Sequence, residues 1–309
     1  MKPKALRRGD VIGICAPGSP PSSAEKIDRG IAYLERLGYH VELGRNLYRK
    51  RGYLAGSDTQ RTEDLHELFA NRNVKAMFTV RGGYGSHRIL NLLNYNLIKR
   101  NPKIFVGYSD VTALQLTLFR KTGLVSFSGP MVAVEMAAGL RGEAEEHFWR
   151  ILTSTKPLPP LKGKTNERLS RRKPKSVTGR LIGGNLSIVA ALLGTRYFPT
   201  INNLILLLEE IDERPYRIDR MLQQIQLSDL FQRLSGIVLG KFKDCVPERG
   251  KPSLTLQQVF RDSFKDFNCP ILSDIRYGHI NNSLTIPLGV RVRINAQTRK
   301  LEFLEAGVS

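Results

Sequence analysis

Short apolar runs alternate with amphipathic helical segments through the first 150 residues. The run VIGICA precedes a helical pattern over residues 22–37, in which Ser22 and Glu25 have the spacing of a capping box. The runs HVELG, AMFTV and IFVGY are each followed by a further helical pattern. Because strands that alternate with helices lie parallel in a sheet covered on both faces, the sequence predicts an N-terminal parallel-sheet α/β domain over residues 1–155.

The second half has a different pattern of elements. LILLLEEI and GIVLGKF have the composition of buried strands, helical patterns cover residues 215–234 and 254–267, and GGNLSIVAALLG reads as a glycine turn into a helix. The closing runs VRVRINA and KLEFLEA are two strands joined by a short polar turn. These features predict a smaller C-terminal α/β domain with mixed strands over residues 177–309.

A basic, proline-rich stretch at residues 156–176 separates the two halves and predicts a linker. The chain carries 48 Lys and Arg against 28 Asp and Glu, a net charge of +20. Eight of these basic residues and four prolines lie between Lys156 and Lys175, with no aromatic residue. Because a stacking platform for bases needs aromatic side chains among the charges, a solvated linker is favoured over a nucleic-acid site.

Several other classes of protein are excluded. No apolar run approaches the ~20 residues that span a bilayer, and VIGICA is too short for the apolar core of a signal peptide. We therefore expect a cytoplasmic protein with no membrane partner. Cys15, Cys245 and Cys269 are far apart and lack a C-x-x-C pair, and no H-E-x-x-H motif is present. The sequence thus indicates buried thiols, and neither a metal site nor a cofactor.

Polar motifs follow four of the predicted strands. RGGYGS (residues 81–86) follows AMFTV, GYSD (107–110) follows IFV, EEIDERP (209–215) follows LILLL, and RYGH (276–279) follows ILSD. Ligands of open parallel sheets bind beyond the carboxyl ends of the strands. The sequence therefore predicts the functional site among these four motifs.

Ser109 has two interpretations. A Ser followed by Asp before a helical pattern is a strong N-cap signature. Alternatively, a serine between a strand and a helix on a sharp turn is the nucleophile of a hydrolase elbow, G-x-S-x-G. Gly107 supplies the first glycine of that motif, but position 111 is Val. The pattern alone leaves both interpretations open.

The other strand-end residues supply the remaining parts of a serine hydrolase. Gly82 and Gly83 form either a tight turn or the backbone donors of an oxyanion hole. His279 follows a glycine at a strand end, where its imidazole can take the proton of a serine hydroxyl. Glu209 directly follows LILLL and can orient that imidazole, although a strand-terminal acid more commonly pairs with a nearby arginine.

With these residues identified, the chain resembles the muropeptide LD-carboxypeptidase family of serine peptidases, which includes the microcin C immunity peptidases. The resemblance covers nearly the whole chain. It rests on VIGICAPGSP, VRGGYGSHRIL, GYSDVTAL, GRLIGGNLS, LLLEEIDERPYRIDRML and GHINNSLTIPLG.

The resemblance implies a Ser109, Glu209 and His279 triad that forms at the junction of two domains in a homodimer. It further implies an oxyanion hole from the backbone N–H groups of Asp110 and Gly83, and substrate contacts from Arg81, Gly82 and Tyr84. The implied reaction is release of the terminal D-alanine from a murein tetrapeptide by hydrolysis of its LD-peptide bond. Two alternatives stay open: cleavage of acyl-adenylate or other amide-linked antibiotics, and nucleic-acid binding by a non-catalytic protein.

Overall fold

The computed structural model describes residues 1–165 and 176–309, which form two compact units. The first unit contains Met1–Lys156, Leu284–Gly289 and Ala306–Ser309. The second unit contains Pro157–Ser283 and Val290–Glu305.

The strands of the described residues, in chain order, are β1 Val11–Cys15, β2 His40–Leu43, β3 Val74–Thr79, β4 Ile104–Gly107, β5 Ser126–Ser128, β6 Leu161–Lys162, β7 Lys164–Thr165, β8 Val177–Asn185, β9 Leu204–Ile211, β10 Leu234–Lys243, β11 Ile271–Ser273, β12 Ile286–Leu288, β13 Arg291–Asn295 and β14 Lys300–Phe303. The α-helices are α1 Ala24–Arg36, α2 Asp58–Ala70, α3 Ser86–Ile89, α4 Tyr95–Arg100, α5 Thr112–Thr122, α6 Gly142–Thr153, α7 Leu186–Leu192, α8 Pro215–Leu227, α9 Leu230–Arg233 and α10 Leu256–Phe264. The described residues also contain a 3₁₀ turn at Ser109–Val111 and a π-helical turn at Val132–Met136.

The sheet of the first unit has the strand order β12-β5-β4-β3-β1-β2. All its pairs are parallel except β12 with β5. Every residue of β4 is buried, and Ile12, Phe78 and Phe105 have no exposed surface. Strands buried on both faces read as continuous apolar runs, which is why VIGIC, AMFT and IFV are recognisable in the sequence. The predicted N-terminal parallel sheet is confirmed.

The sheet of the second unit has the order β6-β14-β13-β8-β9-β10-β11-β7. Its central strands β8 to β11 pair in parallel, whereas the pairs toward both edges are antiparallel. The first seven residues of β9 are buried, including Glu209 and Glu210. The predicted C-terminal α/β domain with mixed strands is confirmed.

The fold differs from the sequence prediction in several places. The helix predicted over residues 215–234 ends at Leu227 and is followed by the short helix α9. GRLIGGN is a strand rather than a glycine turn, because Gly183 and Gly184 continue β8 at φ values of 129° and 139°. In the predicted linker, residues 161–165 contain β6 and β7, while residues 166–175 lie outside the described residues. Leu284–Gly289 and Ala306–Ser309, predicted as part of the C-terminal domain, belong to the first unit.

Two of the three cysteines are buried, as predicted, whereas Cys269 is only half-buried. Cys15 and Cys245 are buried thiols, and burial raises the pKa of Cys245 to about 11. Within residues 1–165 and 176–309, no cluster of three or more His, Cys, Asp or Glu side chains could hold a metal ion. No helix in the same residues has both the length and the apolar character needed to cross a membrane.

Lys103 is a buried cation that gives a testable pH dependence. Its Nζ donates to the carbonyls of Asn71, at 2.7 Å, and Val74, and burial lowers its pKa to about 8. Between pH 8 and the ordinary lysine pKa of about 10.4, the unfolded chain holds this proton and the folded chain does not, so stability increases with pH. We expect the free energy of unfolding of the wild type minus that of Lys103→Met to increase over this range. A difference that is flat or decreasing, measured by urea denaturation from pH 7 to 10.5, would contradict this assignment.

Candidate active site

Ser109 occupies a strained turn between β4 and α5. Its φ is 63°, in the left-handed region that a residue with a Cβ adopts at a cost of order 1–3 kcal/mol. It begins the 3₁₀ turn, and the N-cap positions of that turn and of α5 are Tyr108 and Val111. The helix-cap interpretation of Ser109 is therefore wrong, and the half-buried serine has the strained backbone typical of a nucleophile elbow.

The neighbouring residues explain why only one glycine of the elbow motif is present. A Cβ on Gly107 would lie 2.4 Å from Thr79 Oγ1 and 2.9 Å from Val111 Cγ1, so no side chain fits before the turn. Val111 is fully buried. A side chain is therefore accommodated at position 111 but not at position 107.

Residues 81–85, here named the double-glycine loop, pack directly on Ser109. A Cβ on Gly82 would lie 3.0 Å from Ser109 Cβ, 3.2 Å from Ser109 Oγ and 3.2 Å from the Asp110 nitrogen. Gly82 O accepts a hydrogen bond from Ser19 N at 3.1 Å. Because the N–H of a trans peptide points opposite to its carbonyl, the Gly83 N–H points away from Ser19.

The backbone donors predicted for the oxyanion hole are available. Within the described parts of the chain, neither the Gly83 N–H nor the Asp110 N–H donates to a protein acceptor. The Asp110 side chain is buried, and its Oδ2 accepts from Ser86 N at 3.0 Å and Ser86 Oγ at 2.7 Å. Asp110 thus fixes the end of the double-glycine loop while its own amide remains available for an oxyanion.

Two predicted substrate contacts are at the same loop. Arg81 is half-buried at its start. Tyr84 is 51% exposed and makes an edge-to-face contact with Tyr53, with ring centroids 5.3 Å apart. The predicted roles of Arg81, Gly82 and Tyr84 in substrate binding remain predictions.

In the second unit, His279 and Glu209 form a hydrogen-bonded pair. His279 Nδ1 lies 2.8 Å from Glu209 Oε2, and the Glu209 side chain has no exposed surface. A carboxylate at Nδ1 holds the proton on that nitrogen, which makes Nε2 the basic atom of the neutral imidazole. This is the arrangement that a general base requires.

Glycines bring the His279 loop close to the end of β9. Gly278 has a φ of 128°, and a Cβ there would lie 3.0 Å from Glu209 Oε2. Its nitrogen donates to Ser283 Oγ at 3.0 Å. A Cβ on Gly240 would lie 2.5 Å from the carbonyl oxygen of Tyr277. Larger residues at either glycine would displace the histidine from its carboxylate.

Sequence reasoning missed Asn185, at the end of β8. Its Nδ2 donates to Glu209 Oε1 at 3.3 Å and to Glu210 Oε1 at 2.7 Å, so one amide contacts both buried carboxylates. Burial raises the pKa of Glu210, whereas hydrogen bonds from Ser187, Ile211 and Asn185 oppose this shift. The sequence signal was an Asn at a strand end before a helix, which is also an N-cap signature: Asn185 Oδ1 accepts from Ile188 N at 3.3 Å.

Comparison with known proteins shows the family of the chain. The chain matches the family models described as LD-carboxypeptidase N-terminal domain, over residues 12–129, and LD-carboxypeptidase C-terminal domain, over residues 178–294. The chain belongs to the LD-carboxypeptidase family. Each family domain contains part of the predicted site: Ser109 and the double-glycine loop lie in the N-terminal match, and Glu209 and His279 in the C-terminal match.

The alignments with individual relatives cover nearly all of this chain. A "Probable murein peptide carboxypeptidase" of Bacillus subtilis (strain 168) is 38% identical over 314 aligned positions, which cover 100% of this chain and 95% of the relative. The "Microcin C7 self-immunity protein MccF" of Escherichia coli is 29% identical, with 98% and 96% covered. The crystal structure of a muramoyltetrapeptide carboxypeptidase from Oxalobacter formigenes has a TM-score of 0.84 at 28% identity and covers 94% of this chain and 97% of that one.

Proposed function

We propose that this carboxypeptidase-family hydrolase is a serine LD-carboxypeptidase with Ser109 as nucleophile, His279 as general base and Glu209 as the residue that orients the imidazole. The observation that carries the proposal is the strained Ser109 turn, which packs against Gly82 and is flanked by two amides that have no acceptor among the described residues. The His279 and Glu209 hydrogen bond supplies the matching base. The family match supports the same reaction class.

The mechanism is acyl transfer. His279 Nε2 takes the Ser109 proton while Oγ bonds to the scissile carbonyl carbon, and the resulting oxyanion accepts from the Asp110 and Gly83 N–H groups. The C–N bond then breaks, and His279 gives its proton to the leaving amine. A water molecule, deprotonated by His279, attacks the acyl ester. Cleavage of the C–Oγ bond returns the proton to Ser109, so one water is consumed per turnover.

The substrate of the proposal is a murein tetrapeptide, from which the enzyme releases the terminal D-alanine. The names of the Bacillus subtilis and Oxalobacter formigenes relatives support this class of substrate. Such a peptide ends in a carboxylate, for which the half-buried Arg81 is the proposed partner. A cytoplasmic location and a homodimer belong to the same proposal.

A second candidate function is cleavage of an acyl-adenylate or other amide-linked antibiotic. The similarity to MccF of Escherichia coli supports it, at lower identity than the similarity to the murein peptide carboxypeptidase. The expectation that the basic charge does not bind nucleic acid stays a prediction, because much of the basic run falls in residues 166–175, outside the described residues.

An activity assay separates these functions. The protein is incubated with L-Ala-γ-D-Glu-diaminopimelate-D-Ala, with the same peptide ending in L-alanine, and with an aminoacyl sulfamoyl adenosine. The proposal predicts release of D-alanine from the first substrate and at least a hundredfold slower turnover of the other two. Preferred cleavage of the nucleotide analogue would favour the second candidate, and no cleavage of any substrate would contradict both.

Gly82→Ala tests the proposed oxyanion hole. The new methyl would lie 3.2 Å from the Asp110 nitrogen, where it hinders an oxyanion from reaching that amide. Loss of one oxyanion donor costs about 10²-fold to 10³-fold in kcat, so we expect a decrease of about 10²-fold in D-alanine release. The measurement is steady-state kinetics together with a thermal melt.

Gly139→Ala is the matched control in the same unit. Gly139 has a φ of 85°, and its new methyl would meet no atom within 4 Å. An alanine there costs about 1 kcal/mol of stability through backbone strain, and kcat should stay within twofold of wild type. If Gly82→Ala kept full activity, the oxyanion would not lie beside the Asp110 amide.

A further inference from the structure

Arg61 of α2 is an arginine buried beside the proposed oxyanion loop. Its side chain is 1% exposed, although it reads in the sequence as an ordinary charged residue of an amphipathic helix. A buried charge is strongly unfavourable unless hydrogen bonds and an opposite charge compensate it. The groups that compensate Arg61 therefore indicate what the residue does.

The guanidinium contacts one carboxylate and two backbone carbonyls. Nη1 donates to the carbonyls of Pro17 and Gly85, the latter at 2.9 Å, and Nη2 donates to Asp58 Oδ1. Asp58 is also bound by the exposed Arg88, through Nε at 2.9 Å and Nη2 at 2.8 Å. Asp58 thus holds Arg61 in place through Nη2, while Nη1 of Arg61 donates to the two carbonyls.

Those carbonyls belong to two loops that approach Asp110 and Ser109: a Cβ on Gly18 would lie 2.7 Å from Asp110 Oδ2, and one on Gly82 would lie 3.0 Å from Ser109 Cβ. Pro17 lies in the loop after β1, and Gly85 ends the double-glycine loop after β3. Farther along, the same loops are joined by Ser19, whose N donates to Gly82 O at 3.1 Å and whose Oγ accepts from Tyr84 N at 3.0 Å. Arg61 and Ser19 together fix both ends of the segment that contains Gly82 and Gly83.

Gly85 is adapted to this contact. Its φ is 130°, and a Cβ there would lie 2.8 Å from Arg61 Nη1. Arginine presents its donors in a fixed planar fork, whereas the ammonium of lysine is a single point on a flexible stem. A lysine at position 61 would therefore keep the positive charge but lose the simultaneous, directed contact with Asp58, Pro17 and Gly85.

We propose that Arg61 is a positioning residue, which holds the double-glycine loop so that its backbone donors meet the developing oxyanion on the substrate. The inference rests on the proposed serine mechanism. It assigns to Arg61 no contact with substrate. Its effect should therefore appear in the transition state and not in ground-state binding.

The test is Arg61→Lys, with Arg88→Ala as control, because the Arg88 side chain shares Asp58 and, among the described residues, makes no hydrogen bond to either loop. The Arg88 N–H, which donates to Gly85 O at 3.1 Å, is unchanged by this substitution. We expect Arg61→Lys to lower kcat for D-alanine release by about 30-fold to 300-fold, a decrease similar to or somewhat smaller than that caused by loss of one oxyanion donor. KM should stay within threefold of wild type. Arg88→Ala should keep kcat within threefold. Rates are normalised to folded protein, measured by circular dichroism well below the melting temperature.

A second readout separates positioning from general destabilisation. A peptide analogue with a tetrahedral phosphonate in place of the scissile carbonyl should bind Arg61→Lys more weakly by the same factor as the loss in kcat/KM. The tripeptide product should bind both proteins equally. Equal loss of affinity for the two ligands, or wild-type kcat in Arg61→Lys, would overturn the inference.

If Arg61→Lys does not yield folded protein, Asp58→Asn is tested in its place. It weakens the support of the guanidinium and should lower kcat at least fivefold at unchanged KM, and wild-type kcat would overturn the inference. Failure of the proposed function gives a different result, because then the wild type releases no D-alanine or Ser109→Ala remains active.

Discussion

Ser109→Ala should abolish D-alanine release while leaving the protein folded. Loss of the nucleophile removes the atom that forms the acyl bond, and for a serine triad this costs on the order of 10⁴-fold to 10⁶-fold in kcat. KM should change little, because the substitution removes one oxygen and adds no bulk. The φ of 63° is strained for serine and alanine alike, so the melting temperature should stay within a few degrees of wild type.

Ser22→Ala is the matched control for this variant. Ser22 is an exposed serine of the same unit, before the start of α1. The control should retain wild-type kcat. A Ser109→Ala protein with more than a tenth of wild-type activity would remove Ser109 from its proposed role.

Glu209→Gln should have the second largest effect. The carboxylate at His279 Nδ1 holds the proton there and keeps Nε2 basic. A glutamine amide can donate to Nδ1 and stabilise the opposite tautomer, and the corresponding change in a serine triad costs about 10⁴-fold in kcat. We expect a loss of about 10³-fold to 10⁴-fold, measured as D-alanine release under saturating substrate.

Glu210→Gln is the matched control, because it makes the same change in the adjacent buried glutamate. Glu210 Oε2 accepts from Ser187 N at 2.8 Å, and its Oε1 accepts from Asn185 Nδ2 and Ile211 N. An amide NH₂ facing one of these donors costs about 1–3 kcal/mol in the free energy of unfolding. Activity per folded molecule should stay within tenfold. Equal loss of activity in the two variants would show that Glu209 has no special relation to His279.

The elements that position the site could be predicted from the sequence because they are buried parallel strands. AMFTV, IFV and LILLL are almost entirely apolar, and the polar motifs that follow them begin at or near the strand ends in the structure. The pairing of His279 with Glu209 was expected from the position of both residues at strand ends and from the family resemblance, and the 2.8 Å contact agrees with it.

Local capping signals were less informative. Ser22 and Glu25 have the spacing of a capping box, yet the N-cap of α1 is Ser23 and its side chain makes no capping bond. Capping boxes occur instead at Ser57 with Gln60 and at Thr255 with Gln258. Several Ser and Thr residues satisfy such a spacing, and tertiary packing decides which of them caps a helix.

Features that depend on close approach between distant segments were not accessible from the sequence. Gly183 and Gly184 resemble a turn, but a Cβ on Gly183 would lie 2.0 Å from the Leu207 carbonyl, so the glycine permits close pairing of β8 with β9. Arg61 resembles a surface residue of an amphipathic helix. The buried guanidinium is satisfied by the carbonyls of Gly85 and Pro17, which lie 24 and 44 residues away in the sequence.

The most direct test of the account is to find which residue a substrate-like phosphonate modifies. A diphenyl phosphonate ester of the L-Ala-γ-D-Glu-diaminopimelate peptide, with phosphorus in place of the scissile carbonyl carbon, reacts with the nucleophile and expels phenol. Peptide mapping by mass spectrometry should find one adduct per chain, on Ser109, whose formation the tripeptide product slows. An adduct on another residue, or none in a protein that releases D-alanine from the tetrapeptide, would contradict the serine mechanism.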